Sequence, residues 1–148
     1  ACGHQGMVLG QQYDLDAEKN ELLDIELIHS LKTAKLIQVA LTMPYLGNEM
    51  YKKTQVLLSN LGGKIGLAFQ IMDDVLEVSS DSVTLGKSNL SDITNKKMTY
   101  VSVYGLEASI QKAEALSHFC IEQIQENFEV EKTRELIELM HLMVSRSN

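Results

Sequence analysis

An all-α fold is predicted for this sequence by three features. A single proline stands in 148 residues, so long stretches contain nothing that forces the backbone out of a helix. Apolar residues recur at three- and four-residue spacings along most of the chain, the period of one helix face. Leu, Glu, Lys, Met and Ala, all good helix formers, are abundant, and no segment carries the alternation of a half-buried strand.

The elements follow in order. Residues 6 to 19 carry Met7, Val8, Leu9, Tyr13 and Leu15 before the polar stretch Glu18-Lys19-Asn20-Glu21, which suits a short helix. A second run starts near residue 22, with Leu23, Leu27, Leu31, Ala34, Ile37 and Leu41 as one apolar stripe. Pro44 and Gly47-Asn48 close it. The third run, about 49 to 78, is the longest, and as a helix it measures ~45 Å. Gly62, Gly63 and Gly66 inside it each cost about 1 kcal/mol of helix propensity, which points to another backbone passing close by. Residues 79 to about 98, rich in Ser, Asn, Asp, Gly and Lys, read as a loop of the length that serves as a lid or binding loop. Thr99 is placed to cap a following helix. Residues 106 to 127 and 130 to 144 read as amphipathic helices, with Leu116, Phe119, Ile124 and then Leu136, Leu139, Met140 and Met143 inward. One helical domain over residues 1–148 is expected, long enough for its own core.

Composition narrows the function classes. A net charge of −7 opposes non-specific nucleic-acid binding, which needs a basic face. No apolar run reaches the ~18–20 residues of a membrane span, and no signal-peptide pattern is present. Cys2 and Cys120 lie far apart without a CxxC partner, as reduced thiols of a cytoplasmic protein do. His4, His29, His118 and His141 share no ligand spacing, and Met43, Met50, Met72, Met140 and Met143 read as core fillers.

The segment with chemistry is Phe69-Gln70-Ile71-Met72-Asp73-Asp74-Val75-Leu76-Glu77. On a helix Asp73 and Glu77 are i and i+4 with Asp74 beside them, a like-charge spacing that costs a few tenths of a kcal/mol. Apolar neighbours on both sides add a hydration penalty, which a hard cation would offset. Mg²⁺ is satisfied by one or two carboxylates together with phosphate oxygens and waters. From spacing alone, a solvated acidic helix edge explains the same residues. The cations favour the metal. Lys32-Thr33 lie mid-way along the second run, and Gly86-Lys87 and Lys96-Lys97 follow the acidic helix. Carboxylates followed by a Gly-Lys loop are the layout of a Mg²⁺–diphosphate site.

Four segments in order then resemble the trans-prenyl diphosphate synthases. They are Gly6-Met7 with Gly10-Gln11-Gln12-Tyr13-Asp14-Leu15; Ile28-His29-Ser30-Leu31-Lys32-Thr33; residues 69–77, like that family's second aspartate-rich motif; and Leu85-Gly86-Lys87, Asp92 and Lys97-Met98-Thr99-Tyr100. The resemblance implies the C-terminal half of an all-helical bundle of the isoprenoid synthase type. It also implies Mg²⁺-dependent condensation of isopentenyl diphosphate with an allylic diphosphate, in a short-chain synthase of the geranyl, farnesyl or geranylgeranyl kind. Asp73 and Asp74, with Glu77 and Asp92, would serve the metal; Lys32, Lys87 and Lys97 would hold the diphosphate; and Thr33, Gln70 and Gln11 would line the cleft of the allylic cation. A homodimer is expected. Glu77 stands where the family pattern has a third Asp, and Lys96 where a small residue is usual. The family's first aspartate-rich motif is not in the sequence, so an N-terminal half and part of the site are expected elsewhere, and the chain is expected to be inactive alone. Class I terpene cyclases share the metal chemistry but fit the lysine segments less well. A non-catalytic synthase-like subunit would be expected to lose the Asp pair or the lysines, which are all present. A helical oligomerisation domain leaves the four ordered segments unexplained.

Overall fold

Helix α4 (Lys52–Thr84) is the axis on which the other elements pack. Before it come α1 (Met7–Ala17), α2 (Ile25–His29), a π-helical turn (Ser30–Ala34), α3 (Lys35–Thr42) and two 3₁₀ turns (Met43–Tyr45 and Glu49–Tyr51). After it come α5 (Tyr100–Tyr104), α6 (Leu106–Asn127) and α7 (Val130–Ser145). The structure is a computed structural model that describes residues 1–17, 19, 24–47, 49–84 and 98–145, and among these there is no strand. Among the described residues no helix is long and apolar enough to cross a membrane.

Two apolar clusters lie along α4. Leu61 and Ile65 meet Cys120, Ile121 and Ile124 of α6 and Met140 and Met143 of α7. Further along, Ile71, Met72 and Val75 meet Ile25, Tyr100 and Ala113. Each fully buried Ile or Met contributes roughly 1.5–3 kcal/mol, so the second cluster fixes the rotation of α4 where its carboxylates stand. The close approach expected at the glycines is present. A Cβ on Gly66 would overlap the Ala34 backbone, and one on Gly62 would lie 2.8 Å from Gln38 Cα, so the π turn and α3 run against bare α4 backbone. Gly63 faces only the Gln38 side chain.

Several expectations need correction. Residues 79–84 continue α4, where the sequence suggested a loop. Ser79 donates its hydroxyl to the Val75 carbonyl at 2.9 Å, so its polar group is satisfied inside the helix instead of ending it. The second run is not one α-helix: the Lys35 N–H reaches back to the Ser30 carbonyl, a five-residue closure that inserts a wider turn. Such a turn shifts the buried stripe. Ile25, Ile28, His29 and Ala34 are inside, while Leu27 is 44% exposed. Phe119 and Leu139 are also exposed; the Phe119 ring instead carries the Lys64 ammonium 5.1 Å from its centre. Met43 is exposed and fills no core, whereas Met72, Met140 and Met143 do. Cys120 is fully buried, and burial pushes its thiol up to about 11.

Candidate active site

The π turn carries Lys32 and Thr33, and π turns recur at functional sites because they re-aim side chains. Helix α1 packs directly on this turn: a Cβ on Gly10 would overlap the Lys32 backbone. One turn along α1, Asp14 accepts from Lys32 Nζ at 2.5 Å, with both side chains largely covered. An ammonium has three N–H donors, and this pairing fixes the direction of one.

Thr33 donates its hydroxyl to Gln70 Oε1 at 2.7 Å, and Gln70 Nε2 donates to Asp74 Oδ1 at 3.3 Å. Asp74 is only 2% exposed. Its Oδ2 accepts the Tyr100 backbone N–H at 2.7 Å and lies 3.4 Å from His29 Nε2. Thr99 caps α5 through a reciprocal bond with Ser102, which presents the Tyr100 N–H to that carboxylate. The Tyr100 hydroxyl donates to Glu26 Oε1 at 2.8 Å, and Lys112 Nζ lies 3.3 Å from the same oxygen. Burial first, then the Glu26 carboxylate, holds the Tyr100 phenol far above the usual tyrosine range, so it stays a donor.

Asp73 and Asp74, adjacent in sequence, therefore face different surroundings. Asp73 is half-buried and Glu77 exposed, one turn apart on α4, and both offer hard oxygen donors. Asp74 is turned into the core. Among the described residues no three His, Cys, Asp or Glu form a metal-binding group. Asp73 and Glu77 are hard oxygen donors of the kind that one or two at a time suit Mg²⁺ when phosphate and water complete its shell. Gln11 is exposed on α1 and takes no part in the bonded chain described above. Lys87, Asp92 and Lys97 lie outside the described residues. A groove of about 920 Å³ between α3, α4 and α6, lined by Glu26, Ser30, Gln38, Ser59, Lys64 and Lys112 among others, includes none of the predicted site residues.

Sequence reasoning gave no role to Asp14, His29, Tyr100 or Glu26. Asp14, His29 and Tyr100 sit inside the quoted segments, and that was the available signal; their pairings span 18 to 74 residues, which no local pattern records.

The model of the polyprenyl synthetase family matches residues 3–140. The farnesyl diphosphate synthase of Haemophilus influenzae is 35% identical over 128 residues, 84% of this chain and 43% of that protein. The farnesyl diphosphate synthase of Escherichia coli is 41% identical over 119 residues, 78% of this chain and 40% of that one. Among solved structures, the geranyltransferase of Helicobacter pylori complexed with magnesium and isoprenyl diphosphate superimposes with a TM-score of 0.67 at 26% identity, covering 98% of this chain and 47% of its own. The chain spans somewhat less than half the length of these relatives. With the all-helical bundle and the convergence of the first three motif segments, the match leads to one assignment: this chain belongs to the polyprenyl synthetase family.

Proposed function

We propose that the protein carrying this chain is a Mg²⁺-dependent prenyltransferase that joins isopentenyl diphosphate to an allylic diphosphate and releases diphosphate, as a short-chain synthase of the geranyl, farnesyl or geranylgeranyl type. The observation that carries the reading is the bonded chain from Thr33 through Gln70 to Asp74, with Lys32 beside it and Asp73 one helical turn from Gln70. The magnesium and isoprenyl diphosphate of the Helicobacter pylori complex support the same chemistry.

In the reaction, the allylic C–O bond breaks and its electron pair leaves with diphosphate. The π pair of isopentenyl diphosphate then forms the new C–C bond, and a proton passes to the released diphosphate. Mg²⁺ supplies positive charge that makes diphosphate a better leaving group. Asp73, with Glu77 one turn on, would hold the ion. The Lys32 ammonium, aimed by Asp14, would bind a diphosphate oxygen. Thr33 and Gln70 would present oxygens to the allylic cation, which needs dipoles instead of water. Lys87, Lys97, Asp92 and Gln11 belong to the proposal on sequence grounds, as diphosphate ligands, lid support and cleft lining respectively. So do the homodimer and the inactivity of residues 1–148 alone.

The test is Asp73→Asn in the complete polypeptide. Turnover should fall at least ~10²-fold, as when one preorganised transition-state contact is lost, with the circular-dichroism helix signal unchanged. Near-normal rates at saturating Mg²⁺ would remove Asp73 as a metal ligand.

A further inference from the structure

We infer that Asp74 is a positioning residue that acts on the reacting carbon through Gln70 and Thr33, so that the two adjacent aspartates of α4 divide metal binding from orientation. The inference rests on the prenyl transfer proposed above and goes beyond it in assigning Asp74 a role other than ligation.

The reasoning begins with proton counting. Both Asp74 oxygens accept N–H groups, from Gln70 on one side and Tyr100 on the other, so toward these two partners the carboxylate acts only as an acceptor. Gln70 must then turn its Nε2 toward Asp74, because the reverse orientation sets its carbonyl oxygen against a carboxylate. With that orientation fixed, Oε1 faces Thr33 and takes the single hydroxyl proton at 2.7 Å. Thr33 Oγ is left with lone pairs only. A chain of bonds ending on a carboxylate polarises each member in turn, so Thr33 Oγ becomes richer in electrons than an isolated hydroxyl. Negative potential thus reaches Thr33 from a carboxylate that is itself buried.

The separation has a chemical use. A carboxylate oxygen in contact with an allylic cation would donate a lone pair to carbon and trap it as an ester. Thr33 could do so only by giving up its proton, and the acceptor in line is a carboxamide oxygen, a weak base. An electron-rich but non-capturing oxygen is the result. Asp74 itself is held from behind by the Tyr100 N–H and is 2% exposed, which suits an orienting group better than a metal ligand.

Four proteins decide the matter in the complete polypeptide: wild type, Asp74→Asn, Thr33→Val and the double variant. The side-chain amide of Asn would force Gln70 to turn over, so Asp74→Asn should lower kcat about 10- to 100-fold and leave the KM of both substrates within about 2-fold, the signature of an interaction made in the transition state. Thr33→Val should do the same, and the double variant should be no slower than the worse single one, because both cut one chain. The second readout is Mn²⁺ binding in the presence of inorganic pyrophosphate, followed by electron paramagnetic resonance; it should be unchanged in Asp74→Asn and weakened in Asp73→Asn. Mn²⁺ binding lost equally in both, additive losses in the double variant, or an unchanged kcat would each overturn the inference. If Asp74→Asn does not fold, Gln70→Met decides by the same kcat, KM and Mn²⁺ criteria. A wild-type protein without prenyl transfer overturns the proposed function and this inference with it, whereas an active wild type with an unaffected Asp74→Asn overturns the inference alone.

Discussion

Replacing Gly66 by alanine tests whether the closeness of the π turn and α4 sets the site. A Cβ at Gly66 would lie 2.6 Å from Ala34 Cβ, besides overlapping the Ala34 backbone. Restoring ordinary contact, 3.4 Å or more, needs a displacement of about 1 Å or slightly less. Alanine gains about 1 kcal/mol of helix propensity over glycine, against an overpacking cost of about 1–3 kcal/mol. The net expectation is a loss of up to about 2 kcal/mol, or a Tm lower by several degrees for a protein of this size. The larger consequence is local. Ala34 follows Thr33, and Gln70 is one turn from Gly66, so the displacement falls on the Thr33–Gln70 hydrogen bond; a ~1 Å misplacement in a reacting site can cost ~10²-fold in rate. Gly63→Ala is the control, since its Cβ meets only the end of the Gln38 side chain at 2.9 Å. It should be neutral or stabilising by up to about 1 kcal/mol, with activity retained. Thermal melts and kcat for both variants are the assay. Equal Tm shifts, or full activity in Gly66→Ala, would refute the idea that backbone contact at residue 66 holds the site.

Other expectations follow from the same structure. The Cys120 thiol, raised by burial from 9.0 to about 11 with Lys64 opposing only in part, ionises first in the unfolded chain. Its contribution to stability should therefore be complete below pH 9 and decline by roughly 2–3 kcal/mol as the pH rises to about 11; Cys120→Ala should flatten this part of the stability–pH curve, and an unchanged slope would disprove the assignment. Glu77→Asp should leave turnover within a few-fold, because Glu77 is exposed and in the proposed role would reach the ion through water; a hundredfold loss would make it a direct ligand whose length matters. Residues 1–148 expressed alone should be helical yet form no product from isopentenyl and geranyl diphosphates under excess Mg²⁺, and measurable product from the pure chain would overturn the need for further ligands.

The parts of the fold that were legible in the sequence are those governed by local physics. Periodicity gave α4, α6 and α7, Thr99 announced α5, and the glycine cost in α4 announced the approach of α3 at Gly62 and of the π turn at Gly66. The π turn was not legible. Lys32-Thr33-Ala34 has no unusual composition, and a single extra residue in a turn moves the buried stripe without leaving a mark in the periodic pattern. This is why Leu27 was placed inside and Ile28 was not. Likewise the end of α4 was set too early, because serines that weaken an isolated helix can bond back to it, as Ser79 does.

The pairing of Asp73 with Asp74 shows where motif reading stops and helix phase takes over. As letters the two are equivalent, and spacing to Glu77 treats them alike. Consecutive residues on an α-helix point about 100° apart, so Asp73 and Asp74 meet different surroundings, the first half-buried and the second 2% exposed. The core side of α4 is set by Ile71 and Val75, both 0% exposed; Asp74 falls three residues after the first and directly before the second. The apolar spacing that predicts the helix does not single out Asp74 as buried; the packing around Ile71 and Val75 does. A buried carboxylate must find donors: Gln70 one turn back on α4 and, from a distant segment, the Tyr100 backbone N–H, with His29 Nε2 3.4 Å away. Tyr100 in turn reaches Glu26 at the start of α2, so the buried aspartate joins α2, α4 and α5 directly beside the half-buried Asp73. One aspartate can be rigidly presented because its neighbour is tied down.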